Sequence, residues 1–193
     1  MTRKTSLKED DAQHPAADGA DPAAAAAEAA RAEALVAAGQ LADAADVYAS
    51  VTAQQPDHVP ALLGLGAVLA AQGKFDAAEK EVRRALRVAP DQPEVHQQLG
   101  AILYKRGVYA AAATTLRRAV ELDPQAASAY VILGEALNQM AESDQALEVL
   151  EQAVRIAPES AKAYYAMGIA YDRKGNHDRA AEMYRLSREV GPR

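Results

Sequence analysis

The chain is 193 residues long, carries a formal net charge of −6 and contains no cysteine. That length suits one domain with a continuous core; the charge argues against a nucleic-acid polyanion as main partner, and the missing cysteines exclude a disulfide framework and thiolate chemistry. Half the residues are hydrophobic but only 5% are aromatic, and the abundance of alanine favours close helix–helix packing over a sheet sandwich.

Residues 1–24 differ from everything after them. They hold Pro15, Pro22 and Gly19 among five acids and three bases, with Leu7 the only large aliphatic side chain after Met1. Such a segment buries too little apolar area to offset its chain entropy, so a disordered N-terminal tail is expected. Its opening, MTRKTSLKEDDAQHP, lacks the apolar core of a signal peptide. No later stretch approaches the roughly 18 consecutive apolar residues of a membrane span. A cytoplasmic protein without membrane insertion is expected.

From residue 25 a 34-residue period governs the chain. Proline returns at Pro56, Pro90, Pro124, Pro158 and Pro192. Glycine returns at Gly66, Gly100, Gly134 and Gly168, with Ala32 in the first copy, and alanine at Ala44, Ala78, Ala112, Ala146 and Ala180. Three residue types locked to one step define an internal repeat. With the proline at position 32, the copies are 25–58, 59–92, 93–126, 127–160 and 161–193.

Each copy reads as two helices. In the second, Pro60 falls in the first turn, where its missing N–H is harmless. Leu62, Leu65, Gly66 and Leu69 share one face. Gly73 supplies the left-handed residue of a C-cap. Asp76 is expected to N-cap the next helix, with Glu79 closing a capping box. Ala78, Val82 and Ala85 form that helix's apolar face, and Pro90 forbids its continuation. Gly107, Gly175, Asp144 and Asp178 repeat the pattern, whereas Ala110 and Ala141 break it. The first copy places Glu28 and Arg31 where later ones carry apolar residues, as a terminal capping repeat requires.

These residues resemble the tetratricopeptide repeat (TPR) family. The third copy offers His96, Leu99, Gly100, Leu103, Ala112, Leu116, Ala119 and Pro124. The fourth offers Tyr130, Leu133, Gly134, Leu137, Ala146, Leu150, Ala153 and Pro158. The resemblance covers residues 25–193 and implies an all-α fold, a right-handed superhelical solenoid of five helix-turn-helix TPR units. Its glycines and alanines would let the two helices of each repeat approach closely.

No catalytic or metal-binding constellation accompanies the repeats. The four histidines have no ligand spacing, and His96 reads as a packed side chain. GLGAVL at 64–69 lacks the third glycine and the preceding strand of a dinucleotide fingerprint. Arg83, Arg84, Arg117 and Arg118 align between neighbouring copies, but the strip does not continue, so they read as a solvated outer face. No cofactor and no enzymatic activity are expected.

Positions 5, 9, 12 and 13 of each first helix point away from the core stripe. By the resemblance they line the concave, ligand-facing groove: Leu63, Ala67, Gln97, Ala101, Tyr104, Lys105, Val131, Glu135, Asn138, Tyr165, Ile169 and Asp172. Tyr104 and Tyr165 are expected to anchor a peptide, with Gln97 and Asn138 bonding its backbone. The set of residues that a carboxylate-clamp subgroup of the family needs is absent. At the C-terminal end the chain stops one residue short of a fifth full copy. Ala180, Tyr184, Ser187 and Val190 are expected to be exposed there as a weak self-association edge.

The function implied is a non-catalytic scaffold that binds a peptide or helical segment of another protein. Two alternatives stand beside it: a self-assembling structural scaffold that oligomerises through its ends, and the regulatory subunit of an enzyme complex.

Overall fold

The computed structural model describes residues 22–191, which form ten helices and no strand. They pair in chain order: α1 (Pro22–Ala37) with α2 (Leu41–Gln54), α3 (Val59–Ala71) with α4 (Phe75–Val88), and α5 (Pro93–Lys105) with α6 (Tyr109–Leu122). The last pairs are α7 (Ala127–Gln139) with α8 (Ser143–Ile156), and α9 (Ala161–Arg173) with α10 (His177–Val190). Five helix pairs form an all-α repeat solenoid. Helix α1 begins at Pro22, three residues before the expected start of the first copy; the disorder expected for the tail concerns residues that otherwise lie outside the described ones.

In the second to fifth repeats, a glycine on the first helix lies under a large side chain of the second. A Cβ added at Gly66 would stand 2.5 Å from Val82, at Gly100 2.5 Å from Leu116, at Gly134 2.4 Å from Leu150 and at Gly168 2.4 Å from Tyr184. The periodic alanines are equally tight, with Ala44, Ala78, Ala112 and Ala146 completely buried. Each pair then packs its second helix on the first helix of the next pair. The backbones of the first helices α1, α3, α5, α7 and α9 also approach one another in series, while those of the second helices do not. The array therefore closes on the first-helix side and opens on the other. The buried residues form two clusters that adjoin at α3: Leu65 and Val68 pack with the first pair, Leu62 of the same helix with the rest, and half-buried Leu69 lies against both.

The turns follow from the residues that allow them. Gly39, Gly73, Gly107 and Gly175 have φ between 73° and 80°. In the fourth repeat Ala141 takes the same left-handed conformation at φ 61°. Each turn is closed by the same backbone bond, for example Lys74 N–H to Leu69 C=O at 2.9 Å and Glu142 N–H to Leu137 C=O at 3.0 Å. The helix context holds Ala141 in a conformation that costs an L-residue about 1–2 kcal/mol.

The expected capping boxes do not form. Lys74, not Asp76, is the N-cap of α4, and it contributes no side-chain bond. The left-handed turn brings the Lys74 carbonyl to the Ala78 N–H, so the helix starts two residues earlier and Asp76 falls inside its first turn. There it favours the helix dipole and pairs with Arg106 of the next repeat at 2.8 Å. Glu79 joins Arg83 and Arg106 instead of reaching back to a cap. Asp144 is likewise inside α8, where it pairs with Lys174. Asp178 lies inside α10, which Asn176 caps by accepting from Arg179 N–H. Where the third repeat has Ala110 in place of the acid, the fourth has Met140 in place of the base.

Two substitutions test this frame by thermal denaturation. Gly100→Leu is expected to destabilise by about 1–3 kcal/mol or more, because Leu116 already fills the space. Ala141→Gly is expected to stabilise by about 1 kcal/mol, since glycine removes the left-handed strain at a smaller entropic cost. Unchanged melting in both would contradict the register described.

Candidate functional site

Because the first helices crowd together, the faces they turn away from the second helices form one surface. Three hollows run along it. The largest, about 620 Å3, lies between α5, α7 and α9 and is lined by Ala101, Tyr104, Lys105, Val131, Ile132, Glu135 and Lys162, with Ala127, Ser128, Ala157 and Ser160 at its margin. The second, about 500 Å3, lies between α3 and α5 over Ala67, Ala70, Ala71, Phe75 and Ile102, and shares Ala101 and Lys105 with the first. The third, about 200 Å3, joins at Ala67 and Ala71 and reaches Glu33, Val36 and Tyr48. Small side chains on α3 and α5 keep the floor open.

The expected groove residues divide. Ala67, Ala101, Tyr104, Lys105, Val131 and Glu135 line these hollows. Gln97 crosses between repeats, its Nε2 donating to Ser128 Oγ at 3.0 Å. Leu63 packs partly into the core. Asn138 is a correction: it is 2% exposed, and its Nδ2 donates to the Ala166 carbonyl of α9 at 2.8 Å. Position 12 turns toward the next first helix, so this amide ties two repeats and is closed to a ligand. Tyr165 is 56% exposed but stands apart, its ring 5.6 Å from that of Tyr184 at the last repeat. Tyr104 packs instead on Tyr109, 5.7 Å away. The two tyrosines thus occupy separate depressions. Ile169 is half-buried and Asp172 is already engaged, accepting from Tyr184 Oη at 2.8 Å and pairing with His177 at 3.1 Å.

The C-terminal edge needs a second correction. Ala180 is buried, 1% exposed, against its own repeat. Gly168 lets α10 close on α9, so this position is covered without a following repeat. Ser187 Oγ donates to the Ala161 carbonyl at 2.8 Å. Tyr184 and Val190 are half-buried, and a shallow hollow remains over Tyr165, Tyr184, Ser187 and Arg188.

Lys162, Ser128 and Ser160 escaped the sequence reading. Position 2, which holds Ser128 and Lys162, lies one turn before position 5; extending the 3–4 spacing backwards would have found it. On the opposite face Arg83, Arg84 and Arg118 form ion pairs with Glu79, Glu81, Asp91 and Glu121. His96 bonds the Pro90 carbonyl at 2.7 Å. Among the described residues no cluster of histidine and carboxylate side chains could hold a metal, and no helix is long and apolar enough to cross a membrane.

Electrostatics single out Glu135. Burial pushes its carboxyl above the usual range, while Lys162 and Lys105 pull it back. It makes no hydrogen bond or ion pair with any described residue. The Tyr104 phenol is raised by burial and by the charge of Glu135, with a bond to Gln139 opposing. Tyr184 is pushed up to about 12, chiefly by burial and then by Asp172.

Sequence models described as tetratricopeptide repeat match residues 35–102 and 125–192, and one described as TPR repeat matches residues 100–140. A crystal structure of MamA is 28% identical, covers 82% of this chain and 93% of its own, and superimposes with a TM-score of 0.74. YrrB, described as a TPR protein with an unusual peptide-binding site, is 25% identical over 86% of this chain and 85% of its own, at a TM-score of 0.70. PilF of Pseudomonas aeruginosa, 21% identical over 89% of this chain and 78% of its own, shares the fold at a TM-score of 0.79. No curated protein matches the chain.

The raised Glu135 pKa has a definite sign. The folded state disfavours its charged form, so stability falls as pH rises from the unfolded value through the folded one. Glu135→Gln is therefore expected to raise the melting temperature near neutral pH and to lose that gain in acid. Tyr184 has the same sign: its contribution is full below about pH 10 and gone above about pH 12. Ultraviolet titration should show a tyrosine ionising near pH 12 that ionises earlier in Asp172→Asn.

Proposed function

The chain belongs to the tetratricopeptide repeat family, and from that premise we propose that it is a non-catalytic scaffold holding a segment of another protein along its inner face. The observation that carries this reading is the continuity of the three hollows. They share Ala67, Ala71, Ala101 and Lys105, and so form one groove from α1 to α9 rather than isolated pockets. The groove is apolar over α3 and gathers polar groups from Lys105 of α5 to Glu135 of α7 and Lys162 of α9. An extended or helical segment fits such a strip better than a small substrate, which needs polar groups converging on one reacting atom. The likeness to YrrB, described as binding a peptide, supports the same reading.

Self-association is the second reading. Exposed Tyr165 lies beside half-buried Tyr184 on the last repeat, and burying one tyrosine of this kind is worth about 1.5–3 kcal/mol before association costs. That suits a weak contact. Sedimentation over a wide concentration range should then show association that Tyr165→Glu abolishes.

Ala101 is the point at which the two larger hollows meet. Ala101→Trp is expected to leave the circular dichroism spectrum unchanged and to remove a protein partner recovered by the wild type in affinity capture with mass spectrometry. Equal recovery by both would refute the groove.

A further inference from the structure

We propose that the hollow between α5, α7 and α9 selects a partner segment that brings a cationic side chain, an arginine above all, onto the Glu135 carboxylate. This rests on the groove reading and specifies the chemistry of the occupant.

A carboxylate withdrawn from water recovers its lost hydration through donors. Two other acids withdrawn from water do so: Glu79 and Glu81, each 13% exposed, are held by Arg83 and Arg106 and by Arg84. Glu135 lines the largest hollow half-buried and has no such donor. Three polar groups on neighbouring helices face it. Lys105 and Tyr104 come from α5, and Lys162 comes from α9. Both lysines are exposed, and neither closes an ion pair with it. Their flexible stems let the ammonium groups stay in water. The surrounding wall, Ala101, Val131 and Ile132, is apolar.

The hollow therefore offers one unclaimed acceptor with two unclaimed donors beside it. A guanidinium can meet a carboxylate with two parallel N–H···O bonds, while its apolar stem lies along the wall. Lys105 and Lys162 then suit carbonyl or acidic groups on either side of that arginine. An anionic occupant would instead set a second negative charge beside a half-buried carboxylate, which is unfavourable. Protons compete for the same oxygens, so binding weakens as pH falls through the Glu135 pKa.

The test uses the full chain and three short capped alanine–leucine peptides that differ only at the centre: arginine, its neutral isostere citrulline, or glutamate. By calorimetry the arginine peptide is expected to bind about tenfold tighter than the other two, the size of one charge-assisted hydrogen bond. The preference should shrink in acid and disappear in Glu135→Gln, whose fold is checked by circular dichroism. Equal affinity for arginine and citrulline, or preference for glutamate, overturns the proposal while leaving peptide binding in the groove intact. Binding of none of the three also overturns it, and the groove itself is then judged by partner capture with Ala101→Trp.

Discussion

The close approach of two helices within each repeat is the constraint on which the rest depends. It needs a residue with no side chain at Gly66, Gly100, Gly134 and Gly168, because Val82, Leu116, Leu150 and Tyr184 occupy the space a Cβ would take. Close-packed interiors do not yield to such intrusions. The same glycine recurs every 34 residues because the same contact recurs. No single pair buries its apolar faces alone, so stability comes from stacking, and a helix such as α3 serves two neighbours, with Leu65 and Val68 in one cluster and Leu62 in the next.

The groove follows from that stacking. The backbones of the first helices approach one another in series while those of the second helices stay apart, so the array must bend toward the first helices and present them as its inner wall. Alanines at 67, 70, 71 and 101 keep that wall open over α3 and α5. Charges on it are few and unevenly settled. Acids between repeats are engaged by a base of the next repeat, Asp76 by Arg106 and Asp144 by Lys174, whereas Glu135 stands on the inner wall with no donor. A folded chain that keeps a half-buried carboxylate unpaired forgoes stability at that point.

Much of the candidate site was legible in the sequence. Ala101, Tyr104, Lys105, Val131 and Glu135 were found because 100° per residue assigns a helical face without any knowledge of the neighbours. The failures share one cause. Asn138 lies on the same helical face but is covered by α9, and Ala180 was expected to be open but is covered by α9 of its own repeat. Tyr48 reaches across to Gly64, where a Cβ would stand 2.4 Å from its ring, although Gly64 has no place in the period. Which helix covers which face is a property of the assembled array.

The sequence by itself determined the repeat, its five copies, the two helices in each and the turns at Gly73, Gly107 and Gly175, because these rest on local sterics and on a period that one chain displays in full. Only the tertiary structure decided that Asp76 serves the next repeat, that Tyr104 and Tyr165 lie in separate depressions, and that Glu135 alone among the groove residues keeps a half-buried carboxylate without a donor. Those outcomes depend on distances between residues about one repeat apart, and such distances exist only once the helices have stacked.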